Sequence, residues 1–331
     1  MPEAILQRNL ALELVRATES AAVAAARWMG RGDKEAADQA AVDALRYTLG
    51  SVDMDGTVII GEGEKDEAPM LFIGEKIGNG MPPKTDVAVD PLEGTTLTSI
   101  GQPNAISVVA VSEAGSMYFP PKIVYMDKIA VGREAAGVVD IQATPAENLR
   151  RIARAQHCEI SDLTVVVLDR PRHKDLVKEI RETGARIKLI PDGDVPGALS
   201  CFMHEQTGLD VLMGVGGAPE AVLAAAAAKC MGGQIECRLW PRTEDERRAA
   251  LDAGLPEADL KRVFTGDDLI HSNDVFFAAT GVTDGELLRG VHFFGHGATT
   301  SSIVMRSLTG TIRRLEVEHH WDKEPYPQRP D

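Results

Sequence analysis

Between about residues 145 and 231, helical patterns and apolar, β-branched runs take turns, and this alternation limits the fold more than any other feature of the chain. A helix is expected over 145–156, a strand at LTVVVLD (163–169), a helix at HKDLVKEIRETG (173–184) and a strand at RIKLI (186–190). A short helix after Asp194, a strand at LDVLMG (209–214) and an alanine-rich helix from Pro219 continue the pattern. Strands apolar on both faces are covered on both faces, so the rhythm predicts a mainly parallel sheet packed between helices.

The earlier residues read differently. Apolar residues at helical spacing over 3–28 predict a long first helix ending at Gly30 and Gly32, and Asp33 suits the N-cap of a second helix over 34–49 that stops at Gly50. Strands are expected at TVIIG (57–61), TDVAVD (85–90) and AISVVAV (105–111), and β pattern returns after residue 274 in VFFAATG, VHFFG and TIRRLEVEH. Residues 242–270 read as charged and helical. A chain of 331 residues exceeds what one core usually absorbs, so two domains are expected: an N-terminal α+β domain over 1–145 and a C-terminal α/β domain over 146–331.

Composition removes several function classes. With 44% apolar and 26% charged residues the chain is that of a globular protein, and its net charge of −15 argues against a nucleic-acid partner, which needs a basic stripe. The longest apolar runs, such as AVLAAAAAKCM at 221–231, fall short of the ~20 residues that span a bilayer, and Glu3 with an amphipathic start does not read as a signal peptide. Cys158, Cys201, Cys230 and Cys237 form no CxxC pair, which speaks against zinc or a disulfide framework. A reduced, cytoplasmic protein is expected.

Three clusters carry chemistry. In TDVAVDPLEGT the strand runs into Asp90, Pro91 is expected to stop the ladder, and Asp90 and Glu93 are two hard oxygen ligands three residues apart. Gly94 lets backbone approach an anion, and Thr95 offers a hydroxyl. The bland alternative is an acidic, solvated turn. In IIGEGEKDEAP (59–69) a strand and a glycine turn precede Glu62, Glu64, Asp66 and Glu67, ahead of a helix expected to start at Pro69. First-turn acids favour a helix N-terminus, which accounts for Asp66 and Glu67 but not for Glu62 at the strand end. Together the two clusters favour a two-metal site. The third cluster, DRPRH (169–173), PDGD (191–194) and GVGGAPE (214–220), follows three successive strands. Arg170 and Arg172 suit phosphate, Asp192 and Asp194 suit hydroxyls, and Gly214, Gly216 and Gly217 allow backbone amides to reach a ligand. Glu220 could complete a metal shell. Singly, these residues are also explained as caps, turns and surface charges.

The ordered set WMGRGDKEAAD, GEGEKDEAPM, VDPLEGT, GQPNA, RPRH, PDGD, GGAPE, FFAATG and TIRR resembles the class II fructose-1,6-bisphosphatases, members of the lithium-sensitive, metal-dependent sugar-phosphatase superfamily. Glu93, where the wider superfamily has Asp, is the class II mark. The resemblance implies an α/β fold, a layered α/β/α/β/α sandwich of the sugar-phosphatase type. It implies one metal on Asp38 and Glu62 and another on Asp90, Glu93 and Glu220, with Mn²⁺ or Mg²⁺ as the ions. Substrate contacts would come from Glu93, Gly94, Thr95, Tyr125, Arg170, Pro171, Arg172, Asp192, Gly193, Asp194 and Gly217. Asp38 and Tyr125 enter only through the resemblance.

The implied reaction is hydrolysis of the 1-phosphate of fructose 1,6-bisphosphate, in gluconeogenesis or the Calvin cycle, by metal-activated water oriented by Thr95 and by Glu62 or Asp66. Four alternatives stay open: dual action on sedoheptulose 1,7-bisphosphate, an inositol phosphatase, a 3′-phosphoadenosine-nucleotide phosphatase, and a non-catalytic sugar-phosphate sensor. The last predicts loss of a metal carboxylate, yet all five are present. A homo-oligomer, dimer or tetramer, is expected. The histidines show no ligand pattern in sequence.

Overall fold

The computed structural model describes residues 10–63 and 70–321. Contacts divide the chain into two compact units, 1–115 with 274–331, and 116–273. The division therefore does not fall near 145. The C-terminal β segments rejoin the first unit because their strands pair with one formed before residue 115.

The first unit holds helices α1 (Leu10–Ala26), α2 (Lys34–Leu49) and α3 (Thr95–Ile100) and an eight-stranded sheet. Its strands are β1 (Asp55–Ile60), β2 (Lys76–Ile77), β3 (Lys84–Glu93), β4 (Ile106–Glu113), β11 (Phe276–Gly281), β12 (His292–Phe294), β13 (Gly297–Arg306) and β14 (Thr311–His320). Their order is β12-β13-β11-β4-β3-β1-β2, with β14 also paired to β13, and among these pairs only β1 with β3 is parallel. Val87, Val89, Val109, Val111, Phe276, Ala278 and Val304, alternate residues of four strands, meet Leu14, Val15, Leu45 and Leu49 of α1 and α2 in one buried cluster. Thr18 is buried in α1, where its hydroxyl pairs with Thr280 Oγ1 at 2.7 Å, and Thr280 pairs with Ser302 at 2.8 Å. These three hydroxyls thus satisfy one another within the helix–sheet contact.

The second unit is a six-stranded sheet between helices. Its strands are β5 (Tyr125–Val131), β6 (Thr164–Leu168), β7 (Arg186–Ile190), β8 (Val211–Gly217), β9 (Gln234–Leu239) and β10 (Phe264–Thr265), in the order β10-β9-β5-β8-β6-β7. On one face Ile129, Val165, Val167, Val211 and Met213 pack with Leu149 and Ile152 of α4 (Pro145–Ala155) and Ile180 of α5 (Lys174–Glu182). Helices α6 (Asp194–Phe202) and α7 (Ala218–Met231) lie against the sheet and each other. Gly197 of α6 sits so close that a Cβ there would meet Ile190, Leu212 and Val166 at 3.1–3.4 Å. A helix apolar all round is a buried helix, and α7 is buried almost throughout.

The α/β expectation holds, but the sheet is mixed rather than mainly parallel. Only β6 with β7 and β6 with β8 are parallel, and β5, β9 and β10 add antiparallel pairs. The alternating segment supplies just the parallel strands; β5 precedes it and β9 and β10 follow it.

Candidate active site

Pro91 does not end β3, which runs on to Glu93 with an irregular register. Asp90 pairs opposite Val108 and Glu93 opposite Ile106, so two residues between them on β3, Pro91 and Leu92, face one on β4, Ser107. Proline lacks the N–H the ladder needs, and a bulge rather than a stop accommodates it. The bulge keeps both acids on one rigid strand end, where an Asp90 and a Glu93 carboxylate oxygen lie within 4.8 Å of each other. Asp90 Oδ1 accepts from Leu92 N at 3.1 Å, which fixes its rotamer. Glu93 is 6% exposed.

Gly94 follows at φ +98, caps α3, and lies so close to Leu97 Cδ1 and Ala105 that a Cβ would come within 3.0 and 3.3 Å. Thr95 then opens α3. The GRGD turn is tied to the same helix by Gly30 N donating to Thr98 O and Gly32 N to Ser99 O, at 2.9 and 2.8 Å. After that turn Asp33 caps α2 by accepting from Ala36 N, and α2 packs on both α3 and β3. Asp38 is thereby carried to the strand end, which its place in the middle of a helix does not reveal.

Glu62 leaves the end of β1. Its N–H donates to Leu71 O at 3.0 Å, and Ile73 N donates to Gly63 O at 2.9 Å, closing a loop. A Cβ on Gly61 would fall 2.0 Å from Leu71 O, so only glycine permits that return. This closure also replaces the helix expected after Pro69: Met70–Glu75 is irregular, with positive φ at Leu71 and Gly74. Asp66, with Glu64 and Glu67, lies outside the described residues.

These acids act on one another. Burial and then the charge of Asp90 push the Asp38 carboxyl up to about 6, and burial followed by Asp90 and Asp38 pushes Glu62 up to about 8. Desolvated like charges are held together here by the fold, an arrangement that a cation relieves. An all-carboxylate donor set suits a hard divalent ion, so the residues fit Mg²⁺ or Mn²⁺.

In the second unit the loops after β6, β7 and β8 gather at one edge of the sheet, joined by the start of the antiparallel β5, whose Tyr125 lies opposite Gly217. Arg172 donates from Nε and Nη2 to Val215 O at 3.1 and 2.7 Å. Arg170 has a bracing role: Nη1 donates to Asp169 O and Pro191 O, and Nη2 stands 3.6 Å from Asp192. It holds the PDGD turn to the RPRH turn, with Pro171 opening the short 3₁₀ turn between Arg170 and Lys174. Burial raises the pKa of Asp192. Gly193, at φ +82, is the N-cap of α6, and Asp194 is the helix's first residue.

Sequence reasoning missed one residue of this edge. Lys128, on β5, is 3% exposed and reaches Asp194 Oδ2 at 2.5 Å. Burial alone lowers its pKa, but the charges of Asp194 and Glu220 reverse that and keep the ammonium charged. Glu220, in the first turn of α7, folds back on Gly217, where a Cβ would lie 1.9 Å from its Oε2. His173, one of the histidines without a ligand pattern, is a core residue, 3% exposed. Its Nε2 accepts from Val215 N at 2.8 Å, so Nδ1 carries the proton and donates to Leu168 O at 2.7 Å. It staples β6 to β8 and is kept neutral by burial. A lysine within an apolar strand was the available signal for Lys128, and His173 lies within the DRPRH motif.

Residues 8–319 match the family model described as bacterial fructose-1,6-bisphosphatase, glpX-encoded. The chain is 44% identical, over 96% of its own length and 97% of the relative's, to a D-fructose 1,6-bisphosphatase class 2/sedoheptulose 1,7-bisphosphatase of Synechococcus sp. (strain JA-2-3B'a(2-13)). It is 42% identical, over 96% and 98% of the two chains, to a fructose-1,6-bisphosphatase class 2 of Haemophilus influenzae.

Proposed function

The chain belongs to the bacterial class II fructose-1,6-bisphosphatases, a metal-dependent family, and from that premise we propose how its residues remove the 1-phosphate of fructose 1,6-bisphosphate. Asp38 and Glu62 hold one divalent ion, and Asp90, Glu93 and Glu220 hold the other, with Mn²⁺ or Mg²⁺ as the physiological metal. The observation that carries this reading is the crowding of Asp38, Glu62 and Asp90, which raises two of their pKa values and leaves the site in need of positive charge. The bound ions would supply a more acidic water and neutralise the phosphoryl oxygens.

Thr95, at the start of α3 behind Gly94, orients the water and receives a phosphoryl oxygen, and Glu62 or Asp66 takes the proton. The amides around Gly94 accept the phosphoryl charge at a backbone position that a side chain would obstruct. Arg172, Tyr125 and the PDGD turn grip the other end of the sugar, with Asp192 and Asp194 on hydroxyls, and Arg170 and Gly217 shape those turns. Binding energy from that remote end supports the chemistry. Sedoheptulose 1,7-bisphosphate, which presents the same 1-phosphate, is the second substrate to assay, since it appears in the Synechococcus relative's name. Among the described residues no helix is long and apolar enough to cross a membrane. The reading places the enzyme in the cytoplasm as a homo-oligomer, in gluconeogenesis or the Calvin cycle.

The test is phosphate release from fructose 1,6-bisphosphate with Mn²⁺, with Mg²⁺ and with chelator, alongside Glu93→Ala. Release that requires metal and disappears in the variant is expected. No release with either ion would overturn the reading.

The raised carboxyls add a second expectation. A group whose folded pKa exceeds its unfolded value stabilises the fold while protonated, and that stability is lost as pH rises through the folded pKa. For Glu62 the window runs from its ordinary 4.5 to about 8. The metal-free protein should therefore melt lower at pH 8 than at pH 5, with Mn²⁺ raising its melting temperature more at pH 8. Titration calorimetry in buffers of different ionisation enthalpy at pH 7 should register proton release on binding. A stabilisation by Mn²⁺ that does not depend on pH would count against this coupling.

A further inference from the structure

Glu75 belongs to no motif considered above, yet it is 7% exposed and its Oε1 accepts from Arg46 Nε at 2.7 Å. Its other oxygen, Oε2, is buried without a hydrogen-bond partner among the described residues. Arg46 stands in the last turn of α2, where a cation suits the negative end of the helix, but that accounts for the arginine and not for the buried carboxylate facing it. A carboxylate taken out of water with one oxygen unsatisfied is a poor source of stability. The pair therefore needs a reason other than holding the fold together.

Its place supplies one. Glu75 O accepts from Val58 N at 2.9 Å and Gly74 N donates to Val58 O at 2.7 Å, so Glu75 is fastened to β1, the strand that leads to Glu62. The same return segment carries Leu71, whose carbonyl accepts from Glu62 N at 3.0 Å. On the other side of the ion pair, Arg46 lies eight residues beyond Asp38 on α2, about 12 Å along the helix axis. Helix α2 is thus held at two places: at its start, through the bonds of the GRGD turn to α3, and in its last turn, through Arg46 on Glu75. Asp38 lies between them. Ala37, Ala41, Leu45 and Leu49 already attach α2 to the core, so what the ion pair adds is placement.

We propose that Arg46 and Glu75 are positioning residues for the metal held by Asp38 and Glu62: the pair fixes α2 against the segment that closes on Glu62, and so sets how the two carboxylates face each other. This rests on the metal assignment under the proposed function. Neither residue touches the ion. Outer residues that orient metal ligands act on affinity through the ligands they place, and the effect falls on the one ion whose ligands come from both joined elements. The site of Asp90, Glu93 and Glu220 draws no ligand from α2 or from the end of β1.

Calorimetric titration of Mn²⁺ into the full-length, metal-free protein tests it, beside the Mn²⁺ dependence of phosphate release from fructose 1,6-bisphosphate. In Arg46→Gln one of the two Mn²⁺ sites should weaken by about 10- to 100-fold while the other stays within about threefold, and KM for the sugar at saturating Mn²⁺ should also stay within about threefold. Glu75→Gln, a near-isosteric change that keeps the arginine, should weaken the same site and carries the test if Arg46→Gln does not fold. Arg46→Lys should recover part of the affinity. Asp38→Asn identifies the site: adding Arg46→Gln to it should leave the remaining Mn²⁺ affinity unchanged. Mn²⁺ affinities equal to the parent's in Arg46→Gln and Glu75→Gln, or both sites weakened alike, would overturn the proposal and leave the pair as part of the fold alone. Should the parent bind no Mn²⁺, or Asp38→Asn bind it as the parent does, the metal assignment fails and the proposal with it, an outcome told apart because it shows without any change at Arg46 or Glu75.

Discussion

Asp90→Asn should lower metal-dependent phosphate release by about 10³-fold or more while leaving the metal-free protein at least as resistant to heat as its parent. The first effect follows if Asp90 is a ligand, since loss of a charge aimed at the reacting group costs on the order of 3–4 kcal/mol of transition-state stabilisation. The second follows from repulsion. The charge of Asp90 raises the pKa of both Asp38 and Glu62, so a neutral, near-isosteric side chain relieves both. Asparagine keeps an oxygen to accept from Leu92 N, so the bulge that positions the pair is retained. Thermal melts with and without Mn²⁺ beside the activity assay check the claim. A variant that loses activity and also melts well below the metal-free parent would mean that Asp90 supports the fold rather than a cation.

That opposition of stability and function explains which parts of the molecule were legible in sequence. Where local signals agree with the fold, the reading was accurate: α2 begins after the Asp33 cap and ends at Gly50 as its apolar spacing and cap residues indicate. At the site the local rule failed. Pro91 ordinarily ends a strand, yet β3 continues to Glu93, because a bulge there accommodates the residue that lacks an N–H. Strand β13, GATTSSIVMR, went unread because its inward Thr and Ser look like loop residues until Ser302 and Thr300 are seen paired with Thr280 and His319. Strand β9 was hidden by charged residues alternating with buried ones. The return of the C-terminal strands to the first unit is a non-local pairing that no window of sequence contains. The acids at strand ends stand out by position, whereas Asp38 needed the family resemblance and the Lys128–Asp194 pair needed the fold.

The buried Lys128–Asp194 pair carries the largest stability effect. Lys128→Met removes the partner of a carboxylate that is 7% exposed and stands 2.5 Å from the ammonium, and an uncompensated buried charge of that kind costs about 3–5 kcal/mol. Gly216 packs directly against the pair: a Cβ there would lie 1.9 Å from Asp194 Oδ2 and 3.0 Å from Lys128 Nζ. Adding Asp194→Asn to Lys128→Met should therefore restore most of the lost stability, since it removes the orphaned charge. It should not restore activity, because the pair does more than hold the fold. Lys128 sets the position of the Asp194 carboxylate that we propose for a sugar hydroxyl and places positive charge near Glu220, in the first turn of α7. The double variant is then a folded protein with a raised KM for fructose 1,6-bisphosphate and a higher Mn²⁺ requirement. Chemical denaturation and metal-dependence curves on the two single variants and the double measure both halves of the claim. Stability and activity recovering together would show the ion pair to be a structural buttress alone.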